Sequence, residues 1–415
     1  MKKNLLTGAF TMAAIGAVSA QGLYDIAPND DAQESLPIKW SAGATVTYDD
    51  NVTPTVTAGP GEDDGVTSVS AYVGAALVNI TPQTTWDVYA RLGALYYLDS
   101  PEASGSEDFF VQGRLGVNWA HRVSERLRFS SRNYIAYELE PDYNFGTALD
   151  RQVEEYLHYE TDNAVGYRWS ERFATYTGFK VRGIDFQDDF DGNDRLIYSL
   201  YNQFRYRASE QTVWTLDYRY SWTDADGGAA DSTNQFITVG IEHRFSPNSV
   251  LALKGGVQIR DVDDGGEDST NPFFEAAIRT RVNEQFSFRA FARYSVEDYG
   301  TSFAIQTYDT NNTLRIGLNA DYIISPVLTL HGGLNYISTD QEDGRFTNGF
   351  VGTPDDLDQD IINLFVGFSY KVNDGVYVTG SYNWTDSDAS GGFFGDADVR
   401  TYERNRVSLG LRVEF

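Results

Sequence analysis

Apolar and polar residues alternate one by one along most of this chain. At 86–96 the even positions are apolar, and the odd positions are mostly polar or small. The same period of two recurs at 214–222, 314–322 and 362–370, where aromatic residues lie near the ends of each stripe. A period of two predicts β-strands that turn one face to an apolar medium and the other to water.

The C-terminal residues 405–415 alternate without a break and end on Phe415. One face of this predicted strand is apolar, from Val407 to Phe415, and the other carries Arg406 and Arg412. A strand with lipid outside and water inside needs this pattern. The terminal aromatic residue resembles the signal by which the barrel-assembly machinery of Gram-negative bacteria recognises its clients.

Eighteen alternating segments can be traced, the first at 38–51 and the last at 399–415, with 310–324 and 327–340 among them. Their connections alternate between short turns and longer acidic loops, as in outer-membrane barrels. A repeat of about 42 residues also fits a β-propeller, but propeller strands are shorter and no blade signature recurs. The pattern predicts an all-β fold, a transmembrane antiparallel up-and-down β-barrel of about eighteen strands, with sixteen as the alternative.

The first residues resemble a secretory signal. Lys2 and Lys3 precede an apolar stretch, and small residues at Val18-Ser19-Ala20 predict cleavage after Ala20. No later segment approaches the roughly 18 continuous apolar residues that a membrane helix needs. We therefore expect a signal peptide at 1–20, a periplasmic lead-in at 21–37 that is too short for a plug domain, and the barrel at 38–415.

Composition narrows the classes of function. Without Lys2 and Lys3 the formal charge of −28 becomes −30, so nucleic acid is not an expected partner. The chain has no cysteine and four histidines without metal-site spacing, and no nucleophile-elbow sequence occurs. We expect neither an enzyme nor a resident cofactor.

Residues 40–51, Trp-Ser-Ala-Gly-Ala-Thr-Val-Thr-Tyr-Asp-Asp-Asn, open the first predicted strand. This stretch resembles the start of a family of outer-membrane β-barrel porins, several of which are associated with exopolysaccharide gene clusters. The resemblance implies a porin-like barrel and leaves the substrate open. Tyr48 and the residues after it also fit an interfacial aromatic residue followed by a turn.

Arginines concentrate on the polar faces of the predicted strands. Two groups lie nine strands apart, which is half of an eighteen-stranded ring, and two further arginines lie between them. The nine predicted pore-lining residues are Arg91, Arg114, Arg132, Arg205, Arg219, Arg279, Arg289, Arg293 and Arg315. Fixed positive charge in a narrow conduit favours anions. Alternatively, these arginines pair with lumenal acids such as Asp87, Asp217, Glu242, Glu275 and Asp321 and only stiffen the wall.

The predicted outer loops are acidic. Asp261, Asp263 and Asp264 begin like a calcium-binding loop, but Gly265 occupies the fifth ligand position and no helices flank the stretch. Such carboxylates are candidates for surface-bound Ca²⁺ or Mg²⁺, shared with lipopolysaccharide phosphates. Solvated acids without a bound ion are the alternative.

The longest predicted loop, around 341–358, carries Phe346 and Phe350 among glycines. Apolar side chains are unusual at a solvated loop tip. They predict a constriction loop that folds inward and narrows the pore, or a contact with a neighbouring barrel.

The sequence therefore predicts a porin-like channel in the Gram-negative outer membrane for passive diffusion of small hydrophilic solutes, with a preference for anions. Two alternatives stay open: an exopolysaccharide secretion porin, and a structural or adhesive barrel with cation-binding loops. Expected partners are outer-membrane lipid and lipopolysaccharide, the barrel-assembly machinery, and small solutes or polysaccharide. The oligomeric state cannot be predicted, because lipid-facing strands resemble a subunit interface everywhere.

Overall fold

The computed structural model of the 415-residue chain describes residues 39–52, 65–99, 108–139, 155–187, 194–226, 231–263, 268–298, 302–303, 306–346, 352–393 and 396–415. The predicted signal peptide at 1–20 and the lead-in at 21–37 lie outside these ranges. The first strand begins at Lys39, one residue after the predicted start of the barrel.

The described residues form antiparallel strands and one short helix. The strands are β1 Lys39–Asp49, β2 Val66–Ile80, β3 Thr84–Tyr97, β4 Phe109–Arg122, β5 Leu127–Glu138, β6 Tyr156–Arg168, β7 Phe173–Phe186, β8 Arg195–Arg207, β9 Thr212–Ala225, β10 Ser232–Ser246, β11 Ser249–Val262, β12 Ser269–Arg281, β13 Phe286–Val296, β14 Ser302–Phe303, β15 Gln306–Ser325, β16 Leu328–Phe346, β17 Leu357–Asn373, β18 Val376–Gly391 and β19 Tyr402–Glu414. The helix is α1 Asp396–Arg400. No helix in the described ranges is long and apolar enough to cross a membrane.

The strands form one closed ring. Each pairs with its neighbour in sequence, and β1 pairs with β19 from Ser41 opposite Glu414 to Asp49 opposite Arg406. The two-residue β14 pairs only with β15, while β13 pairs directly with β15. Within the described residues the wall therefore has eighteen strands, which confirms the predicted fold and number and excludes sixteen.

The alternation of apolar and polar side chains along each strand determines which face of the barrel contacts lipid. Val73, Leu92, Val239 and Leu409 are all more than half exposed, and their strand neighbours on the opposite face point into the ring. Tyr and Trp side chains lie near the ends of the outer apolar stripes, as at Trp40 and Tyr48 on β1. An apolar belt with aromatic borders is what a membrane-spanning barrel requires, because the outer side chains contact hydrocarbon and the borders contact headgroups.

Local hydrogen bonds and glycine conformations stabilise the short turns at one end of the barrel. The Ser124 hydroxyl accepts hydrogen bonds from the backbone N–H groups of Arg126 and Leu127 at 3.2 and 3.0 Å, and Ser170 does the same one hairpin later. Gly375 closes the β17–β18 turn with φ of 92°, a conformation that glycine adopts without strain. Such local bonds hold the chain in tight reversals, so the short turns all lie on one end.

The outer ends of β15 and β16 differ from the prediction. We expected strands at 310–324 and 327–340 followed by a loop to 358, whereas the two strands run to Gln306 and Phe346 and stay paired over this extension. The predicted loop bounds were therefore wrong for 341–346. The extension carries polar side chains, which hide a strand from a search for apolar alternation.

Candidate functional site

All nine predicted pore-lining arginines lie on the inner face of the wall. On β13 the even residues Phe286 and Phe288 belong to the lipid-facing set, so Arg289 and Arg293 face the lumen. On β3 the lipid-facing residue is Leu92, and its neighbour Arg91 faces inward. The period of two, with no break between these positions, places each arginine as the alternation predicted.

The ring order separates the arginines into two opposite walls. Arg91, Arg114 and Arg132 lie on wall strands three to five, and Arg279, Arg289, Arg293 and Arg315 lie on wall strands twelve to fourteen, because β15 is the fourteenth wall strand. Nine strands are half of this ring. Arg205 on β8 and Arg219 on β9 occupy the wall between the two groups.

Three pairs of arginines sit directly opposite one another on neighbouring strands. The register pairs Arg91 with Arg114, Arg279 with Arg289, and Arg293 with Arg315. Like charges at directly opposite positions destabilise a sheet, by roughly 0.2–1 kcal/mol for a cross-strand pair. Structural needs alone therefore do not account for this arrangement.

Three of the nine arginines form ion pairs in the described structure. Arg114 Nη2 donates to Glu138 Oε2 at 2.7 Å, Arg205 Nη1 donates to Glu242 Oε1 at 2.8 Å, and Arg315 Nη2 donates to Glu297 Oε2 at 2.7 Å. The Arg205–Glu242 pair is almost fully withdrawn from solvent, with side-chain exposures of 1% and 7%. These pairs link strands and fit the structural alternative.

The other six arginines form no ion pair with any described residue. They are Arg91, Arg132, Arg219, Arg279, Arg289 and Arg293. Arg91 is exposed to the lumen, and its guanidinium carbon lies 3.7 Å from the centroid of the Tyr72 ring. An arginine held against an aromatic face keeps its N–H groups available for an anion.

Several lumenal acids that were candidate arginine partners bind other groups. Asp87 accepts a hydrogen bond from Asn118 at 2.8 Å, Asp217 lies 3.7 Å from the Lys254 ammonium, and Asp321 lies 2.6 Å from His331 Nδ1. Of the five acids proposed from sequence, Glu242 alone pairs with one of the nine arginines among the described residues. Most of the wall arginines therefore form no ion pair with these acids, although Asp87, Asp321 and Glu275 lie within electrostatic reach of Arg132, Arg289 and Arg219 respectively.

A segment at the outer mouth turns into the lumen. We call residues 296–298 and 306–311 the mouth segment. Gln258, on the inner face of β11, accepts a hydrogen bond from the Val296 N–H and donates one to the Val296 carbonyl, both at 3.0 Å. Residues 306–311 are all buried, on both faces of β15. Both faces of this strand end are therefore covered by other parts of the chain. A wall strand that stood up above its neighbours would have exposed faces, so this part of β15 does not extend the wall outward.

Buried charges hold the mouth segment in place. Asp298 is ion-paired with Arg260 of β11 and accepts hydrogen bonds from Thr223 at 2.9 Å and Ser232 at 3.2 Å. Arg260 Nε also donates to the Asp309 carbonyl at 3.1 Å. One arginine therefore joins the wall at β11 to both arms of the mouth segment.

The contacts of Gln258 and Arg260 with the mouth segment were not predicted from the sequence. Gln258 and Arg260 do fall on the polar face of β11, and this was the available signal. Their partners Val296 and Asp298 lie at the end of β13 and just beyond it, and alternation does not show that the chain bends inward there.

Phe346 ends β16 opposite Gln306, and its ring centroid lies 5.1 Å from that of Phe393. Phe346 thus packs against the β18–β19 connection. Phe350 lies outside the described residues. The prediction that a loop with Phe346 and Phe350 narrows the pore stays a prediction.

The calcium candidates lie at the outer end of β11. Asp261 is exposed and accepts a hydrogen bond from the Thr233 hydroxyl at 3.4 Å, Asp263 is exposed after the strand, and Asp264 lies outside the described residues. No cluster of three or more metal-ligating side chains occurs in the part of the chain that the structure describes.

Carboxylates also line the outside of β16 and β17 above the aromatic border. Asp340 lies opposite Asp358, and the Tyr336 hydroxyl donates to Asp360 at 2.8 Å. Partial burial, with repulsion from Asp358 and Asp356, raises the pKa of Asp340. The acidic exterior predicted from the loops therefore continues onto these strand ends.

Comparisons with known proteins give a fold likeness only. No family model and no curated protein matches the chain. Acinetobacter baumannii OccAB4 is 11% identical with a TM-score of 0.46, covering 93% of this chain and 100% of that chain. Pseudomonas aeruginosa OccK2 (OpdF), solved in complex with glucuronate, is 12% identical with a TM-score of 0.48, covering 92% and 100%. Pseudomonas aeruginosa OpdK with vanillate is 11% identical with a TM-score of 0.47, covering 92% and 100%.

The closed ring of strands and its apolar outer belt are the observations that place the chain in a membrane. A sheet without free edges can lie in hydrocarbon, because every strand in the ring has a hydrogen-bonded neighbour on both sides. The chain is an outer-membrane β-barrel of a Gram-negative bacterium.

Proposed function

We propose that the barrel is a channel for passive diffusion of small hydrophilic solutes and that it prefers anions. The observation that carries this proposal is the set of three directly opposed arginine pairs on the lumenal wall. In the Arg279–Arg289 pair neither charge is compensated by an ion pair with a described residue, and in each of the other two pairs one arginine stays uncompensated. A role for the positive field gives this arrangement a reason. A channel driven by the solute gradient needs no energy-coupling domain.

The field acts on ions in transit. Positive charge on a low-dielectric wall lowers the barrier for anions and raises the barrier for cations. The six arginines without an ion pair in the described structure contribute most, since the other three are compensated by Glu138, Glu242 and Glu297. The acidic exterior opposes this effect at long range, but salt screens charges that are more than about 10 Å away.

The test is the single-channel conductance and reversal potential of the refolded mature chain in a planar bilayer under a potassium chloride gradient. We expect anion selectivity that falls when Arg91, Arg289 and Arg293 are changed to Gln. Arg315 is unsuitable for this set, because its loss would free Glu297 of the mouth segment. A cation-selective pore would contradict the proposal, and a pore that conducts only after the mouth segment is released would favour gated polysaccharide export.

A further inference from the structure

Two of the uncompensated arginines flank a pair of phenylalanines on one stretch of the lumenal wall. The guanidinium carbon of Arg219 on β9 lies 3.7 Å from the ring centroid of Phe236 on β10. Arg293 on β13 lies 6.0 Å from the ring centroid of Phe273 on β12. The two rings meet edge to face, with centroids 5.4 Å apart. The order across the wall is therefore arginine, phenylalanine, phenylalanine, arginine.

The strand between the two rings has no side chain in the way. Gly256 of β11 lies opposite Phe273 and Thr238 in the register, and a Cβ at this position would overlap the Ile237 carbonyl oxygen. The glycine lets β11 pass behind the contact between Phe236 and Phe273. The rings are buried, at 7% and 6% exposure, so they form a firm support for the two arginines.

Neither arginine head forms an ion pair with a described residue. Both side chains are half-buried, and the Nε of each is buried without a hydrogen-bond partner in the described structure. Glu275 lies opposite Arg293 in the register but forms no ion pair with it. Arg219 also lies within electrostatic reach of Arg293 and Arg182, which repel it, and of Glu275 and Asp217, which attract it without forming an ion pair. Half-buried positive groups that repel one another, and whose Nε–H donors lack an acceptor, are stabilised when an anion binds between them.

We propose that Arg219 and Arg293, supported by Phe236 and Phe273, form a binding site for a solute with two carboxylates. This inference rests on the proposed function, because the solute reaches the site through the lumen. A guanidinium presents a planar fork of N–H donors that matches a carboxylate, which a halide cannot use. One dicarboxylate compensates both heads, whereas a monocarboxylate leaves the second arginine uncompensated. Rings that hold the arginines in place reduce the ordering needed on binding.

The experiment measures binding of succinate and propionate to the refolded mature chain by titration calorimetry, at constant ionic strength and with both acids ionised. The block of chloride current by the same two acids is recorded in parallel. We expect succinate to bind about tenfold or more tightly than propionate, in line with one additional charge-assisted contact. Arg219→Gln and Arg293→Gln should each remove this preference.

Arg289→Gln is the matched control. Arg289 lies on the same face of β13 as Arg293, also without an ion pair in the described structure, but it faces Arg279 and not a phenylalanine. Its loss should change the reversal potential and keep the preference for succinate. If a Gln variant does not refold, Arg219→Lys and Arg293→Lys retain the charge and should weaken succinate binding through loss of the planar fork.

The outcomes separate the site from the channel function. Equal binding of succinate and propionate by the unchanged protein, or a preference that persists in the Arg219→Gln/Arg293→Gln double variant, overturns the site. Anion selectivity with equal binding overturns the site alone and leaves the channel function in place. A preference for succinate that Arg219→Gln and Arg293→Gln remove supports the site even if the pore proves cation-selective, and in that case only the channel selectivity is wrong.

Discussion

At the residue scale, the lumenal arginines divide into two kinds with opposite effects on stability. Arg205 and Glu242 compensate each other in a nearly dry environment, so each needs the other. Arg279 and Arg289 face each other with like charge, so each would be more favourable alone. The same residue type on the same face therefore serves wall structure at one position and the lumenal field at another.

Glu242→Gln tests the first kind. The variant leaves the buried Arg205 guanidinium without its counter-charge, and losing one partner of a buried pair costs about 3–5 kcal/mol. We expect the free energy of unfolding in urea, measured in lipid vesicles, to fall by this order. The Arg205→Gln/Glu242→Gln double variant should recover part of the loss, and a single variant as stable as the unchanged protein would contradict the pairing.

Arg289→Gln tests the second kind. Removing one of two opposed arginines relieves repulsion, so the free energy of unfolding should stay the same or rise by up to ~1 kcal/mol. The same urea titration gives the answer. A loss of several kcal/mol would mean that Arg289 has a structural partner, and the argument for a selected lumenal field would lose one of its three pairs.

At the element scale, the mouth segment is a strand end and a connection that leave the wall and dock on β11. Gln258 satisfies both backbone groups of Val296, and Arg260 joins Asp298 to the Asp309 carbonyl. Buried polar groups in a fully bonded network favour one position of the segment over many. Specific contacts therefore hold the mouth segment against β11.

The Arg260→Gln/Asp298→Asn double variant tests this contact set by removing both charges of the Arg260–Asp298 ion pair together. We expect higher single-channel conductance or more frequent opening, because the segment loses its strongest tie to β11. Gln235→Ala is a suitable control, since Gln235 lies on the opposite face of β10 from the lumenal Asn234. Conductance equal to that of the unchanged protein would show that the segment does not limit the flow.

The elements show what the sequence could and could not predict. Alternation fixed the strand number and the lumenal face of every proposed arginine, because a one-residue slip would turn an entire stripe from lipid to water. It missed the ends of β15 and β16, where polar residues replace the apolar stripe. It also missed Glu138 and Glu297 as arginine partners, since the meeting of strand ends and connections depends on how the chain bends above the membrane.

At the scale of the whole molecule, the barrel depends on one seam between its first and last strands. Nine residue pairs join β1 to β19, and Arg404 is ion-paired with Asp49 at the outer end, where both side chains are buried. At the inner end, the Trp40 N–H donates to the Phe415 carbonyl at 2.9 Å, and the Phe415 N–H donates to the Trp40 carbonyl at 3.0 Å. The backbone of Phe415 thus takes part in closing the barrel.

The Phe415 side chain contributes less to the fold than the Phe415 backbone does. The residue is 74% exposed, so its aromatic ring adds little to packing within the chain. We propose that this exposed aromatic ring on the closing strand serves assembly, as a contact for the barrel-assembly machinery. Phe415→Ser keeps the backbone bonds to Trp40, so the purified variant should refold in detergent with an unchanged free energy of unfolding. In cells the same variant should reach the outer membrane in reduced amount, measured by membrane fractionation. Normal assembly in cells would exclude this role, and defective refolding of the purified variant would instead give the ring a structural function at the seam.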